Sequence, residues 1–375
     1  MRTIYLLSFL FMCCATASAV NITAIPVATL PTGFTESSGI DFCANTEVWT
    51  HNDGYGDNNL YRFNTSGTLI KTITITNASN QDWEEITTDS SRQKMFIGDF
   101  GNNNNDRTNL KIYKINHPSN INGTSTTAEI INFSYPDQLV IPSPTTNWNF
   151  DCEAMIHYGS HLYLFTKCGG TPLSLYTKLY RIPDVAGTYV ATLVDSFYTG
   201  TRITGATLSP DKSSLVLIGN GNVHLFRNFT PGLFFDGSVI TFSISGTWTQ
   251  KEAVGFKTNQ LIYLTDENTG TGNFLYKIDL AQWIPNTTNI TNGSEIKVSL
   301  YPNPTSQQIQ IQLPLSLIGE PVPYQFFDQS GRVVLNGVLQ PMESLIDLSH
   351  VATGHYYLAI QLKDVVLQKP VVICR

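Results

Sequence analysis

Acidic residues recur at the starts and ends of short apolar segments over the first three quarters of the chain. Two starts have the pattern Asp-x-Glu, at Asp82–Glu84 and Asp151–Glu153, which points both carboxylates to one side of a strand. In an antiparallel hairpin the start of the first strand lies beside the end of the second. The pattern therefore predicts one acidic face, built from Glu36, Asp53, Asp82, Glu84, Asp99, Asp151, Glu153, Glu252 and Asp266.

Carboxylates gathered in this way need a compensating cation, because like charges at close range raise pKa values and destabilise a fold. Calcium suits carboxylate, amide and carbonyl oxygens better than zinc does. We therefore predict calcium as the cofactor, with Glu84 and Glu153 as its first ligands. The alternative is that some carboxylates point outward or pair with Lys167, Lys251 and Arg202. The predicted metal ligands are Asp82, Glu84, Asp99, Asp151, Glu153, Glu252 and Asp266.

Two residues are candidates for proton transfer on this face, His51 and Lys167. A lone histidine in a polar stretch more often makes a structural hydrogen bond than a catalytic one. The polar stretch after Asp53 resembles a calcium loop of the EF-hand type, but Asn64 stands where that loop needs a bidentate Glu. A solvated Asx-turn loop is the alternative for this stretch and for the oxygen-rich residues 101–106.

Five copies of a strand hairpin position these residues. The copies are separated by steps of 48, 69, 51 and 48 residues, measured between Glu36, Glu84, Glu153, Thr204 and Glu252. A period near ~40–50 residues in an all-β sequence is typical of propeller blades. The prediction is an all-β chain with a five-bladed β-propeller, or six blades if the long step contains a degenerate one. An array of β-sandwiches explains the repeat less well.

A strand within Ile22–Leu30 is expected to complete the fifth copy, because that copy lacks a fourth strand of its own. Pairing the two ends of the domain in this way would close the ring and reduce its exposed edges.

Four segments of these repeats resemble a known type of protein. They are Glu-Ser-Ser-Gly-Ile at 36–40, Trp-Thr-His-Asn-Asp at 49–53, Asp-Trp-Glu-Glu at 82–85 and Gly-Asp-Phe-Gly-Asn at 98–102. Together they are similar to bacterial secreted propellers distantly akin to phytase-like and gluconolactonase-like proteins. The resemblance covers roughly residues 30–280 and implies the fold, while it carries no activity over to this chain.

The N-terminus has the features of a secretory leader. An apolar run, Ile4–Cys14, is followed by a small-x-small triplet that ends at Ala19. Residues 1–19 are therefore predicted to be a signal peptide, cleaved before Val20. A lipoprotein anchor at Cys13 is the disfavoured alternative, because a large residue precedes that cysteine.

Export permits disulfide formation. Cys152 begins the first strand of the third copy, and Cys168 ends the neighbouring strand of the same hairpin. Antiparallel pairing brings those ends together, so a Cys152–Cys168 disulfide is predicted, with two buried free thiols as the alternative.

After a polar linker at 283–299, the chain changes to alternating strands that predict a small Ig-like sandwich over 300–375. This segment resembles the type A C-terminal sorting domain of the type IX secretion system, with the propeller assigned to 20–282. The residues that carry the resemblance are Tyr-Pro-Asn-Pro at 301–304, Asp-x-Ser-Gly-Arg-Val at 328–333, Asp-Leu-Ser at 347–349 and Gly-x-Tyr-x-Leu at 354–358. Pro370 and Cys374 depart from the family pattern.

The sorting-domain resemblance implies that the type IX machinery is a partner of this chain. It also implies a location outside the cell or on the outer surface of a gram-negative bacterium. Composition excludes other classes: 22 Lys and Arg against 29 Asp and Glu give a net charge of −7, with no basic cluster for nucleic acid. No later apolar run is long enough to span a membrane in the mature chain.

Three functions fit these features. The first is a secreted or cell-surface, calcium-stabilised propeller that binds a small molecule, a glycan or a protein. The second is a metal-assisted hydrolase of phosphoesters or lactones that uses the acidic face, and the third is a structural surface protein. A glycan binder is expected to expose aromatic residues around the face, with Trp83, Tyr55 and Trp148 as the candidates.

Overall fold

The computed structural model divides the chain into two compact units, residues 1–284 and 285–375. The predicted leader, including Ala19, and most of the predicted linker lie outside the residues that the structure describes. Within those residues there is no α-helix, and no helix is long and apolar enough to cross a membrane. The described residues are 20–44, 46–54, 56–219, 221–245, 249–267, 273–284, 299–312, 321–328, 332–339, 345–362 and 365–375.

The first unit is built from short strands, numbered in chain order, and two 3-10 turns. The turns are Pro118–Asn120 and Thr145–Asn147. The strands are β1 Val20–Thr23, β2 Ile25–Thr29, β3 Ser37–Ala44, β4 Glu47–Asn52, β5 Asn59–Asn64, β6 Leu69–Ile75, β7 Trp83–Thr88, β8 Lys94–Asp99, β9 Lys111–Asn116, β10 Ser125–Thr126, β11 Glu129–Ser134, β12 Asp151–Tyr158, β13 His161–Lys167, β14 Tyr176–Pro183, β15 Gly187–Val190, β16 Thr192–Tyr198, β17 Gly205–Leu208, β18 Ser214–Gly219, β19 Asn222–Arg227, β20 Ser238–Ser245, β21 Lys251–Phe256, β22 Leu261–Asp266 and β23 Phe274–Asp279.

These strands form five sheets. Sheet 1 has the order β10-β6-β5-β4-β3, sheet 2 β15-β11-β9-β8-β7, sheet 3 β12-β13-β14-β16, sheet 4 β1-β20-β19-β18-β17 and sheet 5 β2-β23-β22-β21. Each sheet repeats the predicted antiparallel order of a hairpin followed by a third and a fourth strand. Four of these sheets use the fourth strand predicted within their own copy.

The first strands of the five sheets, β3, β7, β12, β17 and β21, are called the hub here. They contact one another in closed order, because β21 packs on β3 as well as on β17. All five strands contribute residues of their C-terminal halves to a cavity of about 200 Å³. The hub therefore brings equivalent positions of five repeats around a common centre.

Burial explains the residue pattern of the strands. Strands beside the hub are covered on both faces, so β18 carries an uninterrupted apolar run from Leu215 to Ile218, all buried. Outer strands alternate instead, as in β6, where Ile73 and Ile75 are buried while Leu69 and Ile70 are exposed. Hydrophobic burial on both faces thus selects the runs of Val, Ile and Leu that mark the repeats.

The N-terminal segment closes the set of sheets. Strand β2 pairs antiparallel with β23 and supplies the fourth strand of sheet 5, which confirms the expectation for Ile22–Leu30. Its neighbour β1 pairs in parallel with β20 of sheet 4. At the other end, Ile284 is buried and Trp283 packs on Phe242 with ring centroids 4.6 Å apart. The first unit therefore extends to Ile284, two residues past the predicted boundary at 282.

Three short strands pair in parallel with the outer strand of a neighbouring sheet. They are β10 on β6, β15 on β11 and β1 on β20. Each comes from the segment just before the outer strand of the next sheet in order. Strand β10 lies within the long step between the second and third copies, and β15 directly precedes β16 in the chain. Adjacent sheets are therefore interlocked along their outer edges.

The second unit contains two antiparallel sheets around one core. The sheet orders are β24-β25-β28 and β27-β26-β29-β30. Ile309 and Ile346 from the first sheet share a buried cluster with Phe326, Leu358 and Val371 from the second. The strands are β24 Ser299–Tyr301, β25 Gln308–Gln312, β26 Val322–Asp328, β27 Val333–Leu339, β28 Leu345–Asp347, β29 Gly354–Leu362 and β30 Val365–Ile373.

Cys152 and Cys168 are both free and buried in the structure, contrary to the predicted disulfide. The strand register pairs Cys152 with Thr166 rather than with the residue after the strand end. The Cys152 thiol also donates to the carbonyl of Ala154 at 3.7 Å, within a core cluster that includes Tyr135. The Cys152 thiol is therefore directed into the hydrophobic core.

We expect both cysteines to be available as thiols in the purified mature protein. Alkylation after denaturation without reductant should label the peptides that carry Cys152 and Cys168 completely. A parallel sample reduced before alkylation should give the same peptide masses. Recovery of a linked Cys152–Cys168 peptide from the unreduced sample would show that the geometry above is not the one adopted in solution.

Candidate functional site

A β-bulge at the start of the hub strand recurs in four sheets and sets the direction of one side chain in each. The extra residue is Glu84 in β7, Glu153 in β12 and Glu252 in β21. In β3 the same position is Gly39. Because a bulge bends its strand and re-aims a side chain, the three glutamates are placed by one repeated distortion.

Three carboxylates converge on one point. Asp53 follows the end of β4, Asp82 precedes β7, and Glu84 is the bulge residue of β7. Their carboxylate oxygens lie within 4.8 Å of one another. Glu84 is buried, whereas the other two are half-buried and reach toward the surface. Asp53, Asp82 and Glu84 are called the carboxylate trio below.

Two glycines bracket the carboxylate trio. A Cβ on Gly101 would collide with the carboxylates of both Asp82 and Glu84, and a Cβ on Gly54 would lie 2.7 Å from Oδ1 of Asp82. The amides of Phe100 and Gly101 both donate to the backbone carbonyl of Asp82 at 3.2 Å. The two oxygen-rich loops found in the sequence are therefore the walls of this site.

A second group lies beside the trio and contains its own cation. Nζ of Lys167 is 2.9 Å from Oε1 of Glu153, and the amide of Asn102 donates to Asp151 at 2.5 Å. Glu252 is only 3% exposed, and its Oε1 has no hydrogen-bond partner among the described residues. One ammonium group therefore serves several buried carboxyls.

Burial raises the pKa values of the trio. It raises the pKa of Asp53 to about 8, with the charges of Glu153 and Asp82 adding to the effect. It raises the pKa of Asp82 to about 6, although Arg107 opposes the shift. The pKa of Glu84 is raised well above its ordinary value by burial and then by Asp53.

The second group also contains more buried carboxyl groups than cations. Burial and the charge of Glu153 raise the pKa values of Asp151 and Glu252 well above the ordinary range. Burial works against the charge of Lys167, but Glu153, Asp151 and other carboxylates raise its pKa well above the usual value. The site therefore favours added positive charge, either as protons or as a cation.

Two predicted ligands are engaged elsewhere. Asp99 forms an ion pair with Arg107 at 2.8 Å, although its second oxygen is buried without a hydrogen-bond partner among the described residues. Asp266 lies 3.3 Å from Nζ of Lys251 and accepts a hydrogen bond of 2.9 Å from the hydroxyl of Tyr276. For Asp266, the structure thus shows the ion pair with Lys251 that was the alternative to metal binding.

The first repeat differs from its predicted alignment. The sequence aligns Glu36 with Glu84, but the bulges align Gly39 with Glu84, three residues further along. Gly39 has a φ of +63°, and a Cβ there would lie 2.5 Å from the amide nitrogen of Ile86. Glu36 is exposed, so sheet 1 contributes Asp53 to the trio in place of a bulge glutamate.

Neither candidate for proton transfer is free at the surface. His51 is fully buried, with Nδ1 3.0 Å from the carbonyl of Asn52 and its ring against Trp83 at 5.8 Å. Burial lowers the pKa of His51 to about 4, so the ring is neutral at physiological pH. Lys167 is engaged by Glu153. Their catalytic roles stay a prediction.

Glu85, which the sequence pattern does not single out, lies fully buried inside the hub. Its carboxyl accepts hydrogen bonds from the amides of Ile86 at 3.0 Å and of Ala206 at 3.1 Å, and a further one from Met155. It therefore connects β7 to β12 and β17. The only signal for it was its place next to Glu84, because adjacent strand residues point to opposite faces.

The prediction that Trp83 is an exposed aromatic residue for glycan contact is wrong. It is fully buried, and its indole N–H donates to the carbonyl of Ser79 at 3.0 Å. Tyr55 lies outside the described residues, while Trp148 is half-buried beside a surface groove. Trp83 instead belongs to a buried hydrophobic cluster shared by sheets 1 and 2.

Comparison with known families identifies the C-terminal segment. Residues 299–374 match the family described as the secretion system C-terminal sorting domain. This match confirms the predicted type IX sorting domain and supports a protein that the type IX system exports to the outside or to the outer surface. No curated protein matches the chain.

Comparison with solved structures gives matches of low sequence identity. The extracellular domain of BT4673 from B. thetaiotaomicron, described as a one-component system, is 13% identical with a TM-score of 0.33 over 94% of this chain and 59% of that one. Hsv2 of Kluyveromyces lactis is 11% identical with a TM-score of 0.30, over 62% of this chain and 65% of that one. A variant of KlHsv2 with a Gly-Ser linker for loop 6CD gives 12% and 0.29, over 62% of each chain.

The glycine wall of the site generates a mutational prediction. Gly101→Ala should lower the free energy of unfolding by about 1–3 kcal/mol, because the added methyl group displaces the buried carboxylate of Glu84 and the half-buried carboxylate of Asp82. Gly123→Ala is the matched control, since a Cβ there meets only the amide of Ser125 at 3.9 Å. Urea unfolding of the mature chain measures both. Equal midpoints for the two variants would contradict the packing described for Gly101.

Proposed function

We propose that the chain is an exported surface or secreted protein whose first unit is a five-bladed β-propeller that binds calcium and, through it, an external ligand. The convergence of Asp53, Asp82 and Glu84 is the observation that carries this proposal. The second unit acts as the sorting domain and takes no part in ligand binding.

The propeller assignment is supported by the five four-stranded antiparallel repeats and by the closed order of hub contacts. It is also supported by β2, which completes the last sheet from the opposite end of the unit. Joining the first and last sheets in this way protects their edges, as expected for radial repetition of small sheets. The second unit, with two sheets around one core, is consistent with an Ig-like sandwich.

The export role generates its own test. Deletion of residues 299–375 should leave the truncated protein folded but retained inside the outer membrane of a bacterium with a type IX system. Cell fractionation and surface protease treatment measure its location, with the full chain as the control. A truncated protein that reaches the medium or the cell surface as efficiently as the full chain would contradict this role.

Calcium suits the trio better than a transition metal does, because all three side chains offer hard carboxylate oxygens. The buried and unpartnered Oε1 of Glu252 nearby adds to the excess of negative charge that one Lys167 has to compensate. Because Gly54 and Gly101 have no side chains, the two loops approach the carboxylate of Asp82 closely. A divalent cation would thus compensate charges that the protein itself leaves unbalanced.

The proposed ligand is an oxygen donor. Calcium takes about six to eight oxygen ligands, and three carboxylates supply between about three and six of them. The half-buried Asp53 and Asp82 form the outer side of the trio, so the remaining positions would lie toward the surface. A hydroxyl, carboxylate or phosphate of an external molecule can occupy such positions.

The pKa shifts set the sign of the pH dependence. The pKa of Asp53 rises from 3.8 to about 8 on folding, because burial disfavours its charge. A carboxyl with a raised pKa binds more protons in the folded state, so this stability is present below pH ~4 and is lost as the pH rises toward ~8. Calcium replaces the proton, and its stabilising effect should grow over the same pH range.

Thermal melting of the mature chain tests the calcium proposal. With chelator the melting temperature should be lower at pH 8 than at pH 5, and calcium should restore it mainly at pH 8. At a free concentration of 100 times Kd the stabilisation is about 2.7 kcal/mol. Glu84→Gln should reduce the response, whereas Glu129→Gln, at an exposed position of strand β11, should keep it. Identical melting with chelator and calcium at pH 8, together with no calcium by elemental analysis, would overturn the proposal.

A further inference from the structure

A surface groove of about 250 Å³, whose lining includes no residue of the carboxylate trio, lies between the turn Thr145–Asn147 and strands β14 and β16. Aromatic and small polar side chains line it together. The lining residues used below are Asn147, Trp148, Ser174, Tyr176, Lys178 and Ser196.

Exposed aromatic rings stand at one end of the groove. Tyr176 and Tyr198 are direct partners in the register of β14 and β16 and are 46% and 56% exposed. Their ring centroids are 5.2 Å apart with planes at 62°. Two large rings held side by side in solvent are unusual for a surface without a partner, since aromatic side chains gain most free energy when they are covered.

Trp148 is fixed in the groove wall by its surroundings. Its indole N–H donates to the carbonyl of Ser143 at 2.8 Å. A Cβ on Gly170, which has a φ of +81°, would lie 3.2 Å from Cβ of Trp148, and one on Gly169 would lie 3.4 Å from it. The two glycines thus let the chain pack closely against Trp148. A ring held in this way needs little ordering when a ligand binds.

The groove has no uncompensated charge. Its lining contains no carboxylate, and its one cation, Lys178, lies 2.7 Å from Oδ2 of Asp137 and 4.1 Å from the centre of the Phe150 ring. Asn147, Ser174 and Ser196 add amide and hydroxyl groups that donate and accept hydrogen bonds. The lining therefore suits a ligand that is neutral, rich in hydroxyl groups and flat on one side.

We propose that this groove binds a neutral carbohydrate. A pyranose ring presents a face of C–H groups, which stacks on an aromatic ring, and a rim of hydroxyls, which pairs with amides and hydroxyls. Tyr176 and Trp148 provide the stacking surfaces, with Tyr198 extending the platform, while Asn147, Ser174 and Ser196 contact the rim. This site is separate from the calcium site and does not depend on it.

Native gel electrophoresis in gels that contain soluble neutral polysaccharides tests the proposal. The probes are β-glucan, α-glucan, xylan and galactomannan, each against a gel without polysaccharide. At least one should retard the mature chain, and chelator should leave the retardation unchanged. Tyr176→Ala, Tyr198→Ala and Trp148→Ala should each weaken the apparent affinity by about tenfold.

Tyr357→Ala is the matched control, because Tyr357 is 43% exposed but belongs to the second unit. It should retain full retardation. Melting curves establish that the variants are folded, and Tyr176→Phe, which keeps the ring, should retain binding if the Ala variant unfolds. Failure of all four neutral polysaccharides to retard the chain would overturn the proposal, as would unchanged retardation of folded Tyr176→Ala and Tyr198→Ala. Loss of retardation with chelator would assign the sugar to the trio instead and would equally overturn it.

Discussion

The excess of buried carboxyl groups at the hub is the constraint on which the rest of the site depends. Glu84, Glu153 and Glu252 point inward because the same bulge recurs at the start of three hub strands. Lys167 compensates only part of their charge, and burial raises the pKa values of their neighbours accordingly. Such an arrangement is unfavourable unless protons or a cation occupy it. Gly54 and Gly101 allow the backbone to approach Asp82 closely.

The hub also contains a carboxyl that serves the fold rather than a ligand. Glu85 is adjacent to Glu84 in sequence but faces the interior, where backbone amides of three hub strands donate to it. A buried carboxyl satisfied in this way fixes the relative positions of β7, β12 and β17. The two neighbouring glutamates therefore have different surroundings: Glu84 lies beside the carboxylates of Asp53 and Asp82, whereas the carboxyl of Glu85 is satisfied by backbone amides.

Much of this architecture follows from the sequence. The repeat spacing, the strand hairpins and the closing role of Ile22–Leu30 depend on local patterns that periodicity reveals. The site was predicted less completely, because a bulge shifts pairing by one residue without changing composition. The predicted alignment of Glu36 with Glu84 is wrong by three residues, because it follows the acidic residue in the sequence, whereas the equivalent bulge position is Gly39, which has no side chain. Long-range partners such as Arg107 for Asp99 depend on loop paths that no short pattern encodes.

The position of β1 and β2 has a consequence for how the first unit is made. Their partners β20 and β23 end at Ser245 and Asp279, so more than two hundred residues separate strands that share hydrogen bonds. Strands β1 and β2 are synthesised first, whereas their partners β20 and β23 are among the last strands of this unit to be synthesised. Contacts of such sequence separation make folding slow. The unit therefore stays incomplete until nearly all of it has been synthesised.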